Sequence, residues 1–186
     1  YTIGDYLSKD IQTPKIDTNT PEFEAAEKAV REKIDKLLHM QGNLSVDDLH
    51  KKLGHIMWEH VGMARNKKGL EEAITLIQEV RKEFWENVRV PGKNEEFNQE
   101  LEKAIRLADF LEMGELMARD ALNRNESCGG HFREEYQTEE GEALRDDENY
   151  KYVAVWEYKG QNETPELHKE ELVFENIKVA QRNYKD

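Results

Sequence analysis

Four stretches of apolar residues recur at the spacing of a helix face, with only short breaks between them. This pattern constrains the fold more than any other feature. The first stripe is Phe23, Ala26, Val30, Ile34 and Leu37, opened by Thr20-Pro21, where a threonine hydroxyl suits a helix cap and proline at the first helical position loses no hydrogen bond. Gly42-Asn43 breaks it. Ser45, with Asp48 three residues on, starts a second stripe of Val46, Leu49, Leu53, Ile56 and Met57 that ends or bends at Gly62. From Lys67 to Val88 a third carries Leu70, Ala73, Ile74, Ile77, Val80, Phe84 and Val88, until Pro91-Gly92 forces a stop. The longest helix is expected from about Asn94 to Asn123, with Phe97, Leu101, Ala104, Ile105, Ala108 and Leu111 inward. Such stripes bury one another only by packing side by side. The chain is therefore expected to be mainly α, an antiparallel three-helix-type, spectrin-repeat-like bundle with a small irregular or β appendage at its C-terminal end.

The ends are different in character. Gly4, Pro14 and the cluster Thr18 to Thr20 make the first twenty residues an extended lead-in or interdomain linker. After Asn123 come Gly129-Gly130 and an acidic, turn-rich stretch from Thr138 to Asn149. Tyr150 to Tyr158 then alternates as a strand does, and a second short strand is expected at Glu171 to Ile177. The expected organisation is a linker at 1–20, a helical bundle at 21–125 and a turn-rich tail at 126–186. Tyr1 stands where an initiator methionine would, so the chain is expected to begin inside a longer polypeptide.

Charge narrows the function classes. Forty acidic residues against 27 basic ones give a net charge of -13, a surface that repels nucleic acid and anionic headgroups, and no run of Lys or Arg overrides it. The single cysteine, Cys128, allows no internal disulfide, which makes a reducing cytoplasm the default. No apolar stretch approaches the length needed to span a bilayer.

Candidate chemistry is thin. His50, His55 and His60 are spaced by five, which turns successive imidazoles to different sides of a helix rather than onto the one face a metal requires. No metal site is expected. Cys128 and His131 are close enough in sequence to suggest a cysteine nucleophile with its base. The plainer reading is a tight backbone corner in which glycines supply unusual torsions and His131 with Arg133 pins the loop. Trp58, Trp85 and Trp156 are read as core or domain-contact residues. The fingerprints GxGxxG, GxxxxGK[ST], CxxC and GxSxG are all missing, so no catalytic or cofactor-binding residue is assigned, and the chain alone is expected to catalyse nothing.

The segment Glu126-Ser127-Cys128-Gly129-Gly130-His131-Phe132-Arg133-Glu134-Glu135-Tyr136 resembles the E-S-R-G-A-H-x-R-E-D segment of succinate dehydrogenase and fumarate reductase flavoprotein subunits. Met57 to Arg65 looks like that family's M-x-x-x-x-G-x-x-R segment, Leu70 to Ile74 follows as its next helix would, and Arg145-Asp146-Asp147-Glu148 resembles its R-D-D segment. Cys128 and Gly130 stand where many members have arginine and alanine. That Cys-Gly-Gly-His pattern looks more like the variant of bacterial, quinone-linked enzymes such as those of the Bacteroides group.

The resemblance implies the family's C-terminal helical domain, packed on an FAD-binding domain of the same subunit, in a complex with an iron-sulfur subunit. The complex would touch the cytoplasmic face of the inner membrane only indirectly. In the family, hydride passes between substrate and flavin while an arginine of the capping domain handles the proton. No position here matches those segments, and the histidine that bonds FAD covalently also belongs to the part not present, so His131 is not that residue. Trp58, Met63, Arg65, Ser127, His131 and Arg133 are the expected interdomain contacts, with an exposed apolar patch near Trp58, Met63 and His131. The rival readings are the related bundle of an L-aspartate oxidase-type flavoenzyme and an independent helical adaptor that binds proteins.

Overall fold

The computed structural model describes residues 2–9, 15–93 and 97–180. The chain divides into two units, Tyr1–Lys36 and Leu37–Asp186.

In the first unit the lead-in is not wholly extended. Helix α1 (Thr2–Lys9) forms there, with Ile3, Tyr6 and Leu7 at helical spacing and exposed. Pro14, which argued for a linker, lies outside the described residues, and Lys15 to Thr20 form no regular element. Helix α2 (Pro21–His39) starts at the expected proline. The Thr20 hydroxyl bonds to the Glu22 carboxylate and holds its pKa below the ordinary value. Phe23 and Val30 of the first stripe are exposed.

The second unit contains three mutually packed helices: α3 (Val46–Val61), α4 (Lys67–Asn87) and α5 (Gln99–Asn123). The ion pairs between them give their directions. Lys52 early in α3 meets Glu83 late in α4, and Gln78 and Arg81 of α4 meet Glu115 and Glu112 of α5 in reverse order, so α4 runs antiparallel to both neighbours. Lys103 and Asp47, both near helix starts, join α5 to α3 in parallel. Each start is capped by a side chain. Ser45 accepts from the Asp48 amide, Asn66 from Gly69 and Asn98 from Leu101. The core is the expected stripes facing one another, with Leu49, Leu53, Leu70, Ile77, Phe84, Leu101 and Leu111 all buried, joined by Leu107, which was not among the expected residues.

The expected helix start at Asn94 lies outside the described residues. Phe97 departs from expectation. It is 86% exposed because it precedes the Asn98 cap and so lies off the helical period. At this same end of the bundle Leu44 pairs with Val88 through Leu44 N–H to the Asn87 carbonyl and Arg89 N–H to the Leu44 carbonyl. Gly42 allows this approach, since a Cβ there would lie 1.9 Å from the Asn87 carbonyl oxygen.

The tail carries a short helix α6 (Asp147–Tyr150) and an antiparallel hairpin of β1 (Tyr152–Glu157) and β2 (Glu166–Glu171). The second strand thus lies earlier than Glu171 to Ile177. The residues between the strands turn at Gly160 and Asn162, both with positive φ, and this turn sets the register from Tyr152↔Glu171 to Glu157↔Glu166. Strand β2, Glu-Leu-His-Lys-Glu-Glu, carries too little alternation to be read as a strand from its own side chains.

Replacing Gly42 by alanine forces the 42–44 segment off Asn87, and an unfolding free energy lower by about 1–3 kcal/mol is expected in urea titration. Ser45→Ala, which removes the cap and the hydroxyl's bond to the Asp48 carboxylate, is expected to cost about 0.5–2 kcal/mol.

Candidate functional site

The C-terminal ends of α3 and α5 and the N-terminal end of α4 meet at one corner, and residues 126–137 tie them together. Cys128 and His131 exchange backbone hydrogen bonds of 2.8 and 3.0 Å around Gly129, whose φ of 59° is left-handed. Arg65 bridges Arg133 as a parallel pair: Arg65 N–H donates to the Phe132 carbonyl and Glu134 N–H to the Arg65 carbonyl. The Ser127 hydroxyl accepts from the Arg133 amide at 2.8 Å and lies 3.2 Å from its carbonyl.

Helix C-termini leave carbonyls without partners, and two guanidinium groups supply the donors. Arg65 Nε donates to the carbonyls of Val61 and Gly62 at 3.1 and 3.0 Å, closing α3. Arg133, only 1% exposed, donates to Ala121 and Leu122 at 2.9 and 3.3 Å, closing α5. The N-terminus of α4 is met by the opposite charge. The Glu135 carboxylate accepts from the Lys67 amide and from Arg133 Nε, and these bonds outweigh its burial and hold its pKa below the ordinary range.

His131 is shared between the two caps. Arg65 donates to Nδ1 at 2.8 Å, so Nε2 carries the proton and donates to the Arg124 carbonyl at 3.0 Å. Burial, together with the charges of Arg65, Arg133 and Arg124, pushes its pKa down, against the pull of the Arg124 carbonyl. Both ring nitrogens are thereby committed, which leaves no base for Cys128 and favours the backbone-corner reading of Cys128–His131.

The segments singled out in the sequence converge here. Glu126, nearly fully buried, accepts from Arg124 Nε at 3.0 Å and from the Asp146 amide at 2.9 Å. Asp146 in turn caps α6. Of the six expected contacts, Ser127 and Arg133 are buried inside the chain, Arg65 and His131 are half-buried, and Trp58 and Met63 are 80% and 88% exposed. Trp58 and Met63 flank the end of α3, whose last carbonyls Arg65 holds.

Two other groups were not legible. Arg81 and Glu115 are buried and paired at 2.7 Å, extended by Glu112 to Arg81 at 3.0 Å and Arg119 to Glu115 at 2.7 Å. Burial pushes the Glu112 carboxyl up; at Glu115 it is outweighed by Gln78, Arg119 and Arg81, and the pKa falls. The available signal was a charge at core spacing on each of two neighbouring helices. The other group is Glu157, Glu166 and His168 on the hairpin, with ligand-type atoms in mutual reach. There Lys159 lies 2.6 and 2.8 Å from the two carboxylates and neutralises a like-charge cross-strand pair.

Replacing Arg133 by methionine strands the Ala121 and Leu122 carbonyls and is expected to cost about 1–3 kcal/mol for each in denaturant unfolding. Because the folded pKa of His131 lies below its unfolded value, the unfolded chain binds the extra proton first. Stability is then expected to be full above the ordinary imidazole pKa and to fall as pH drops through that value toward the folded one. A urea midpoint measured from pH 7.5 to pH 5 should show this step, and His131→Gln should remove it.

Residues 50–184 match the family model described as fumarate reductase flavoprotein C-term. The fumarate reductase flavoprotein subunit of Helicobacter pylori is 33% identical over 180 residues, 96% of this chain and 24% of that protein. The succinate dehydrogenase flavoprotein subunit of Rickettsia bellii is 34% identical over 113 residues, 61% of this chain and 19% of that one. In solved structures, the FrdA chain of E. coli quinol fumarate reductase superposes with a TM-score of 0.76 at 25% identity, covering 89% of this chain and 27% of that chain. The chain thus spans about a quarter of the length of the Helicobacter relative. No helix among the described residues is long and apolar enough to cross a membrane. By its family model and by the convergence of its resembling segments on one corner, the chain belongs to the C-terminal domain family of fumarate reductase and succinate dehydrogenase flavoprotein subunits.

Proposed function

We propose that this chain completes the flavoprotein subunit of an enzyme that interconverts succinate and fumarate, by docking the corner against that subunit's FAD-binding domain. The observation that carries the reading is the exposure of Trp58 and Met63 beside the rigid Arg65–His131–Arg133 corner. An exposed indole and thioether on a preformed frame are what a domain contact uses, since their burial removes apolar area from water while the backbone that carries them is already ordered. The neighbouring polar groups hold the frame and leave the contact to apolar side chains.

FAD itself does not fit the corner. A dinucleotide's pyrophosphate needs donors aimed at it, whereas the guanidiniums of Arg65 and Arg133 are turned onto helix carbonyls and His131 onto Arg65 and Arg124. The flavin therefore belongs to the rest of the subunit in this reading, and the role of this chain is structural. An iron-sulfur subunit would be a partner of the whole complex, placed by it on the cytoplasmic face of the inner membrane.

Paired substitutions Trp58→Glu and Met63→Glu test the contact in two settings. The chain alone should change by no more than about 0.5 kcal/mol, because both side chains already face solvent. The full flavoprotein subunit carrying them should lose most of its bound FAD and its fumarate reduction. Unchanged flavin content and turnover in the full subunit would overturn the reading, as would tight flavin retention by this chain alone in equilibrium dialysis.

A further inference from the structure

Helix α3 carries a glycine that nothing inside the chain requires. Gly54 stands within the helix with helical torsions, it is exposed, and a Cβ added there would meet nothing within 4 Å. Gly114 of α5 is the contrast. A Cβ there would lie 3.2 Å from Met57 Sδ and 3.3 Å from Leu53 Cδ1, so that glycine lets α5 close on α3. At Gly54 the helix bears the conformational cost of glycine, and alanine would stabilise it with no internal contact disturbed.

The surface around Gly54 is apolar. His50 and Trp58 stand one turn before and one turn after it on the same stripe of α3, both exposed. The His50 ring lies 5.6 Å from that of Phe110, which brings in α5. Phe110 and Met117, on either side of Gly114, are 44% and 47% exposed. Charged residues make up 36% of the chain, yet none of these exposed positions is Asp, Glu, Lys or Arg. The parallel helices α3 and α5 thus share an exposed apolar face with a notch one side chain deep at Gly54. Trp58 belongs both to this face and to the contact proposed at the corner.

Where a helix lacks a side chain, another backbone can approach more closely than side chains normally allow. Tethering selects which backbone that is. This chain matches 24% of the Helicobacter subunit, so about three quarters of that subunit's length lies outside the match but in the same polypeptide. A tethered segment meets the face at an effective concentration that no separate subunit shares.

We propose that a main-chain segment of the subunit's own FAD-binding domain crosses α3 at Gly54, packed between Trp58 and the His50–Phe110 pair. The inference rests on the docking reading above and extends it from the corner along α3 and α5.

The test is a reversal of sign at Gly54. In the chain alone, Gly54→Ala should raise Tm by about 1–4 °C and Gly54→Leu should not lower it, since an exposed helix gains a better helix former. In the full flavoprotein subunit, Gly54→Leu should lower Tm and release most of the bound FAD, because leucine fills the space the crossing segment occupies. With p-benzoylphenylalanine in place of His50 in the intact complex, photo-crosslinked peptides should pair this chain with the FAD-binding domain. Equal Tm changes from Gly54→Leu in chain and subunit, or crosslinks to the iron-sulfur subunit instead, would overturn the proposal. If Trp58→Glu with Met63→Glu releases flavin while Gly54→Leu leaves flavin and Tm intact, the docking reading survives and this inference fails. If all three leave the flavin in place, both fail.

Discussion

Arg65 and Arg133 close the C-terminal ends of α3 and α5, and the corner depends on those two guanidinium groups. A helix end buried in protein has carbonyls that water no longer reaches, and each lost hydrogen bond there costs about 1–3 kcal/mol. Arg133 is buried to 1% exposure and directs its donors to the α5 carbonyls, while its own amide is held by Ser127. Arg65 does the same for α3 and passes a further donor to His131. The loop from Glu126 to Tyr136 is therefore fixed by what the helices need. Because α4 starts where α3 and α5 end, its dipole presents the opposite charge at that place, and Glu135 answers it. Cations at two ends and an anion at the third follow directly from the antiparallel order.

That arrangement explains why Trp58 and Met63 can remain exposed without loosening the fold. Neither contributes to the buried set, and the carbonyls beside them are satisfied by Arg65. The stability of the corner and the exposure of its apolar residues are supplied by different side chains, so Trp58 and Met63 stay exposed at little cost to the core. The Arg81–Glu115 pair fastens α4 to α5 through the helix interface.

Much of the bundle was legible because period and caps agree. Ser45 with Asp48, read as a helix start, is a real cap, whereas the Asn66 cap before Lys67 was not read and α4 ends at Asn87, with Val88, read as its last inward residue, standing as the C-cap. Phe97 was misread because apolarity alone does not say on which side of a cap a residue falls. The early position of β2 was hidden for a related reason: its register comes from the turn at Gly160 and Asn162, while its side chains are nearly all polar. Helix α1 went unread because Gly4 and the following turn residues outweighed Ile3, Tyr6 and Leu7 at helical spacing. In the corner, residue identities were legible but their partners were not, because Arg65 to His131 and Arg133 to Ala121 are contacts that only the folded chain brings together.

The two departures from the family segment can be judged on the same physical grounds. Cys128 and Gly130 occupy the tip of the short hairpin, where many members have arginine and alanine. A Cβ at Gly130 would meet nothing within 4 Å, so alanine and glycine are interchangeable there as far as this chain is concerned. Gly129 is different, since its φ of 59° is one that side chains rarely adopt, and it coincides with the glycine the family segment has at that place. The tip's inner partners, Ser127, His131 and Arg133, are also the ones retained. Side-chain identity is thus open at Gly130, where a Cβ would meet nothing, and is kept where a backbone torsion or a helix carbonyl demands it. The frame of the corner is set from within.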